Sequence, residues 1–243
     1  MSQHFPQYPD VPLKQAPLRD VICQVRFSPI FRIANDLPSE LQESILEWFP
    51  DAGFADEADP HLYQFLSHDA GWSFQVGPES FTLSTLRYTV WGEFSSYLAV
   101  TQSAMQKVYK IPAYKRIGLR YVNMFTPANT GYESLTELVE ILRPELTLPR
   151  QTQVLDDATE TAAYLLLDES GGKLAMRTGA SSSTDEGGPA MFLDLDFYVE
   201  GPLPTDGLIE RCAEYHDTIY RAFRWSLSPG KLDLFDPVTR GGS

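Results

Sequence analysis

Hydrophobic and polar residues alternate over Val21–Phe27, where Val21, Cys23, Val25 and Phe27 are separated by Ile22, Gln24 and Arg26. This is the period of a half-buried β-strand, and Pro29 ends it. From Pro38 to Phe49 the period lengthens. Leu41, Ile45, Trp48 and Phe49 fall on one side of a helix, Ser39 and Gln42 have capping-box spacing, and Pro50 stops it. Residues 51–60 read as an acidic turn-rich segment. Three short alternating runs follow, His61–Ser67, Trp72–Val76 and Phe81–Leu86, joined by Asp69-Ala70-Gly71 and Gly77-Pro78-Glu79-Ser80. They predict an antiparallel meander. A helix is then expected from Phe94 to Tyr109, before Pro112.

The same order recurs further on. Arg116–Phe125 alternates as a strand, and Leu135–Leu142 reads as a helix capped by Ser134 and Glu137 and stopped by Pro144. Strands are expected at Gln151–Leu155, Ala162–Asp168, Lys173–Thr178 and Met191–Val199, with Glu169-Ser170-Gly171-Gly172 as a hairpin turn. Ser181–Pro189 has no apolar residue and reads as a mobile loop. Leu208, Cys212, Tyr215, Ile219 and Phe223 form the apolar side of a final helix from Asp206 to Trp225.

These elements predict an α+β protein: a long antiparallel sheet with helices on one face, built from pseudo-duplicated β-α-β(3-4)-α halves. The arrangement is of the kind seen in the TATA-box-binding protein or the helix-grip folds. The expected boundaries are an extended Pro-rich arm over 1–18, the first half over 19–112, the second over 113–228, and a tail over 229–243. The arm is expected to run over the surface. Fold analogy of this kind carries no function.

Composition then narrows the function classes. With 243 residues and 43% apolar content the chain can bury a large core. No run approaches the roughly 18 apolar residues of a membrane span, and Met1-Ser2-Gln3-His4 does not resemble a signal peptide. A cytoplasmic protein with no membrane association is expected. A net charge of −14 opposes non-specific attraction to a phosphate backbone. The two cysteines, Cys23 and Cys212, lack metal-like spacing and read as core.

Alternation also sorts each strand into two faces, and the face opposite the apolar residues gathers polar groups. Gln24 and Arg26 share one side of the first strand; Arg116 and Arg120 share one side of another, with Gly118 between them. Ser73 and Gln75 oppose Trp72, Phe74 and Val76, and Asp194 and Asp196 oppose Leu193, Leu195 and Phe197. Any half-exposed antiparallel sheet produces such a face, held by cross-strand Arg–Asp pairs. An uncovered sheet face is equally a platform for recognition. There Arg26, Arg116 and Arg120 would offer guanidinium forks to carboxylate or phosphate. Gly118 reads as a place where a long side chain or another backbone approaches the sheet, or as a bulge.

Catalytic signals are sparse. Asp194-x-Asp196 puts two carboxylates on one face at a spacing that a divalent ion could use, but no third ligand, base or lysine stands in a recognisable relation to them. His216-Asp217 matches the dyad of HD phosphohydrolases without their further ligands, and His216 reads as a packed core or flank histidine. His68-Asp69 reads as turn chemistry, and Cys23 lacks an activating base. With no Walker, G-x-G-x-x-G, G-x-S-x-G or H-E-x-x-H motif, no cofactor and no metal are expected.

Three stretches resemble one family. Lys14-Gln15-Ala16-Pro17-Leu18-Arg19-Asp20-Val21 followed by Phe27-Ser28-Pro29, then Arg116-Ile117-Gly118-Leu119-Arg120-Tyr121-Val122-Asn123, then His216-Asp217 leading to Phe223, are similar to signatures of a sporadically distributed prokaryotic family of about this length and of unknown function. The resemblance implies a prokaryotic source and genes in mobile or defence-type loci, and it transfers no mechanism. Asn123, the last residue of the central stretch, joins Arg26, Arg116, Arg120, Asp194 and Asp196 as a candidate binding residue.

The expected function is therefore a non-catalytic binding or assembly module. It would be a subunit that meets a protein partner encoded nearby, in a multiprotein, defence or toxin-neutralising system. An acidic surface favours a basic partner. Two alternatives stand beside it: nucleic-acid binding across the arginine-bearing face, and a metal-dependent hydrolase at Asp194 and Asp196.

Overall fold

In the computed structural model, residues 2–56, 59–147, 160–182 and 187–238 are described. The elements in chain order are β1 (Leu18–Phe27), α1 (Phe31–Asn35), α2 (Ser39–Ile45), β2 (Asp51–Asp56), β3 (Asp59–Leu66), β4 (Trp72–Gly77), β5 (Ser80–Thr85) and α3 (Trp91–Tyr109). They continue with β6 (Tyr114–Phe125), α4 (Pro127–Thr130), α5 (Leu135–Val139), β7 (Glu160–Glu169), β8 (Gly172–Ser181), β9 (Ala190–Leu203) and α6 (Leu208–Ser226). The protein is α+β, with an antiparallel sheet in the order β2-β3-β4-β5-β1-β6-β9-β8-β7. The order reads outward from the middle in the same way twice. β1 is followed by β5, β4 and β3, the strands after it taken backwards, and β6 is followed by β9, β8 and β7.

By contacts the chain forms two compact units. The first comprises Met1–Arg19, Tyr121–Asp196 and Asp217–Ser243, and the second Asp20–Arg120 and Phe197–His216. In the second unit the apolar side of each strand is buried: Val21, Cys23, Val25 and Phe27 of β1, Phe81 and Leu83 of β5, and Trp72, Phe74 and Val76 of β4. This side meets the helices. Trp72 stacks on Tyr97 of α3 at 3.9 Å, Phe74 packs on Phe49 beyond α2, and Phe197 of β9 packs on Tyr215 of α6.

In the first unit Phe125 packs on Phe235, and Thr178 of β8 donates to the Leu146 carbonyl at 2.5 Å. The hairpin between β7 and β8 is the one expected, with Gly171 at φ +85. Only glycine adopts that angle without a Cβ penalty. The Ser134–Glu137 capping box at the start of α5 forms as its spacing predicts, with the Ser134 hydroxyl accepting from the Glu137 amide.

Several expectations are corrected. Residues 51–56 form a strand, β2, paired antiparallel with β3. Its acidic residues suit an edge that pairs on one side only, where charge opposes further strand addition, and Phe54 packs on Tyr63 at 5.7 Å. The Ser39–Gln42 box does not form, because Pro38 takes the cap position and Ser39 already lies inside α2. The helix ends at Ile45, yet Phe49 remains fully buried. Most residues of the N-terminal arm are exposed, and the arm is pinned at intervals. Phe5 is buried against Trp225, the Val11 amide donates to the Tyr220 hydroxyl, and Leu13 bridges Pro237. The expected strand Gln151–Leu155 lies outside the described residues, as does much of the expected loop Ser181–Pro189, whose first residue ends β8. No described helix is long and apolar enough to cross a membrane.

Candidate functional site

The outer face of the second unit is built by strand register. Gln24 of β1 pairs with Thr82 of β5, Thr82 with Gln75 of β4, and Gln75 with Gln64 of β3. A neutral, half-buried amide and hydroxyl row thus crosses four strands, and Ser73 and Ser84 pair in the next row. Gln64 donates to the Ser73 hydroxyl at 2.9 Å. Arg26 is exposed at the end of β1, 3.9 Å from the exposed Glu79 carboxylate. Such a pair is worth little in water.

On β6 the buried Ile117 and Leu119 alternate with Gly118 and the exposed Arg120. Arg116 lies along its own strand: a Cβ on Gly118 would meet the Arg116 Nη1 at 2.5 Å. The missing side chain leaves a groove in which the guanidinium rests, and its Cζ sits 4.6 Å from the centroid of the Tyr198 ring on β9. This is cation–π geometry. The reading of Gly118 as the point where a long side chain approaches the sheet is resolved, and the side chain is that of Arg116.

In the first unit the corresponding residues are more deeply engaged. Asp194 is 2% exposed and pairs with Arg177 of β8 at 3.2 Å, while Arg177 also lies over the exposed ring of Tyr164. Asp196 is half-buried on the same side of β9. Asn123 does not face outward. It is 4% exposed on the buried side of β6, and its amide donates to the Leu193 carbonyl at 3.1 Å, so its visible role is to bind backbone. A metal at Asp194 would have to displace a guanidinium from a buried carboxylate. Among the described residues no three His, Cys, Asp or Glu side chains cluster closely enough to hold an ion.

The histidine and cysteine readings also find their places. His216 stacks nearly parallel on Trp91, 5.0 Å between centroids, and Asp217 pairs with Arg221 at 2.7 Å. Cys23 and Cys212 are both fully buried. The Asp69 carboxylate accepts from the Ser67 hydroxyl and the Gly71 amide. Together with the Arg87 guanidinium these bonds hold its pKa below the ordinary aspartate range, which is the turn chemistry expected of that segment.

A concave feature escaped the sequence reading. A cleft of about 410 Å³ is lined by Trp48, Trp72 and Tyr97 together with Glu47, Asp69 and Glu93. The Tyr97 phenol is pushed up, first by burial and then by the Glu93 and Asp69 carboxylates. Its residues come from the segment after α2, the ends of β3 and β4, and α3, and no local motif joins them.

Comparison with models of known protein families finds no match. No curated protein matches the chain either.

Proposed function

We propose that the protein is a non-catalytic binding module that docks a protein partner on the outer face of its sheet. The observation that carries this reading is Arg116, laid over Gly118 and against Tyr198. Arginine and tyrosine dominate the energetics of protein interfaces. A guanidinium already held flat loses less side-chain freedom on binding than one that must be ordered. The neutral amide and hydroxyl row across β1, β5, β4 and β3 supplies hydrogen bonding at little desolvation cost.

The net charge of −14 favours a basic partner at long range. At contact the arginines select its carboxylates. The repeated strand order supports a duplicated construction like that of the TATA-box-binding protein or the helix-grip folds. A prokaryotic source and cytoplasmic location, and a partner encoded nearby in a defence or toxin-neutralising system, rest on the sequence reading and its family resemblance.

The test is affinity purification of the tagged protein from its source organism, with mass analysis of what accompanies it. A stoichiometric protein that is lost with Arg116→Glu/Arg120→Glu, and kept with Lys14→Glu, supports the reading. The protein recovered alone would overturn it. The alternative of nucleic-acid binding predicts recovery of nucleic acid whose binding weakens steeply with salt and is lost with the same arginine variants. A hydrolase at Asp194 and Asp196 is disfavoured by the Arg177–Asp194 pair, and activity surviving the double Asp→Asn change would remove it.

A further inference from the structure

Cys23 and Cys212 are the only cysteines of the chain. They stand 189 positions apart in sequence, yet their Sγ atoms lie 3.9 Å from each other inside the second unit. Cys23 points inward from β1 beside Val21 and Val25, and Cys212 comes from the buried side of α6; neither has exposed surface. A disulfide requires a sulfur separation of about 2.05 Å. Closing the bond requires the sulfurs to approach by about 1.9 Å, which χ1 rotation of the two short side chains would have to supply.

We propose that Cys23 and Cys212 form an oxidisable dithiol, which a small-molecule disulfide closes to an intramolecular disulfide that pins β1 to α6. The exchange is balanced. One cysteine sulfur, having lost its proton, attacks a sulfur of the reagent and expels the first reagent thiol. The second cysteine then attacks the mixed disulfide and expels the other. Two electrons pass from the protein thiols to the reagent, and both cysteine protons end on the two released thiols.

The reaction is slow in the closed core. The Cys212 thiol is pushed well above its ordinary pKa by its contact with Cys23 and by burial, so little thiolate forms until the core opens locally. Burial also holds the phenols of Tyr114 and Tyr215 above their ordinary range. Once the first sulfur has reacted, the second is already at contact, which favours closure over release of a mixed disulfide. The closed loop is long, and the crosslink stabilises chiefly by restricting the unfolded chain. This assignment is independent of the proposed docking role.

The test uses the full-length reduced protein incubated, folded, with excess hydroxyethyl disulfide, then acid-quenched and weighed. The expected product is a monomer lighter by two hydrogens, with a peptide joining Cys23 to Cys212. Its thermal midpoint is raised, and dithiothreitol reverses the change. Cys23→Ser and Cys212→Ser should each yield only reagent adduct. Accumulated adduct on the wild type, intermolecular dimers, or two thiols surviving prolonged incubation would each overturn the proposal. Because the wild type is the reactant, the outcome does not depend on either variant folding.

Discussion

The sequence Arg-x-Gly occurs on β6 as Arg116-Ile117-Gly118 and on β8 as Arg177-Thr178-Gly179, and the two copies are used differently. In both, an arginine lies against a tyrosine ring, that of Tyr198 or Tyr164. In the first, the space above glycine holds the arginine itself. In the second it holds the ring of Phe192, which a Cβ on Gly179 would meet at 2.1 Å, and the arginine is paired with the buried Asp194. The difference extends to the units. The buried charged groups among the described residues, Glu169, Asp194 and Arg221, all belong to the unit that contains Arg177. Among the described residues, the unit that contains Arg116 buries no charged side chain, and its buried hydroxyl groups are those of Ser67, Thr85, Thr101 and of tyrosines. One arginine answers a buried carboxylate, and the other fills the space left by the glycine of its own strand.

The widest separation between the copies should come from removing the arginines. Arg177→Ala strips its guanidinium from a carboxylate whose side chain is 3% exposed, although the arginine itself is 41% exposed. Partial solvation of the pair reduces the usual penalty for breaking a buried one. The expected loss is about 2 kcal/mol, a fall in thermal midpoint on the order of 5 °C. Arg116→Ala removes a half-exposed contact and should cost no more than about 1 kcal/mol. Thermal unfolding of both variants decides the matter, and equal losses would erase the distinction between the two arginines.

The glycines sharpen it further. Gly179→Ala forces an aromatic ring out of its seat and should cost about 1–3 kcal/mol by overpacking. Gly118→Ala displaces only the far end of a flexible arginine and should cost under about 1 kcal/mol. Denaturant midpoints measure both. If Gly118→Ala is the more damaging, the guanidinium of Arg116 is packed rather than presented.

Much of this was legible because β-strand chemistry is local. Alternation over Val21–Phe27 and Arg116–Phe125 assigned the buried side of Ile117, Leu119 and Tyr121 correctly, and Gly118 signalled a close approach. What escaped depends on partners distant in sequence. Asn123 falls on the buried side by its parity with Tyr121 and Phe125, but only the carbonyl of Leu193 explains why an amide belongs there. Asp194 looked like a surface carboxylate because nothing near it in sequence indicates Arg177. β2 was hidden because an edge strand tolerates the acidic residues that otherwise mark a turn. The Trp48, Trp72 and Tyr97 cleft, and the approach of Cys23 to Cys212, join segments that no sequence spacing connects.

The smallest effect concerns the second buried carboxylate of the Arg177 unit. Burial pushes the Glu169 carboxyl up, but the Gln3 amide at 2.8 Å, the Ser2 hydroxyl and His4 outweigh it and hold its pKa below the ordinary value of 4.5. A carboxylate depressed on folding stabilises the folded state above its unfolded pKa, and this stabilisation is lost as the pH falls through the lower, folded value. The docking of the N-terminal arm should therefore weaken below about pH 4.5. Hydrogen exchange of the Gln3 amide, corrected for its intrinsic pH dependence, should accelerate across that window in the wild type. Glu169→Gln should exchange faster at neutral pH and show no acid step. If the step persists in the variant, another group releases the arm.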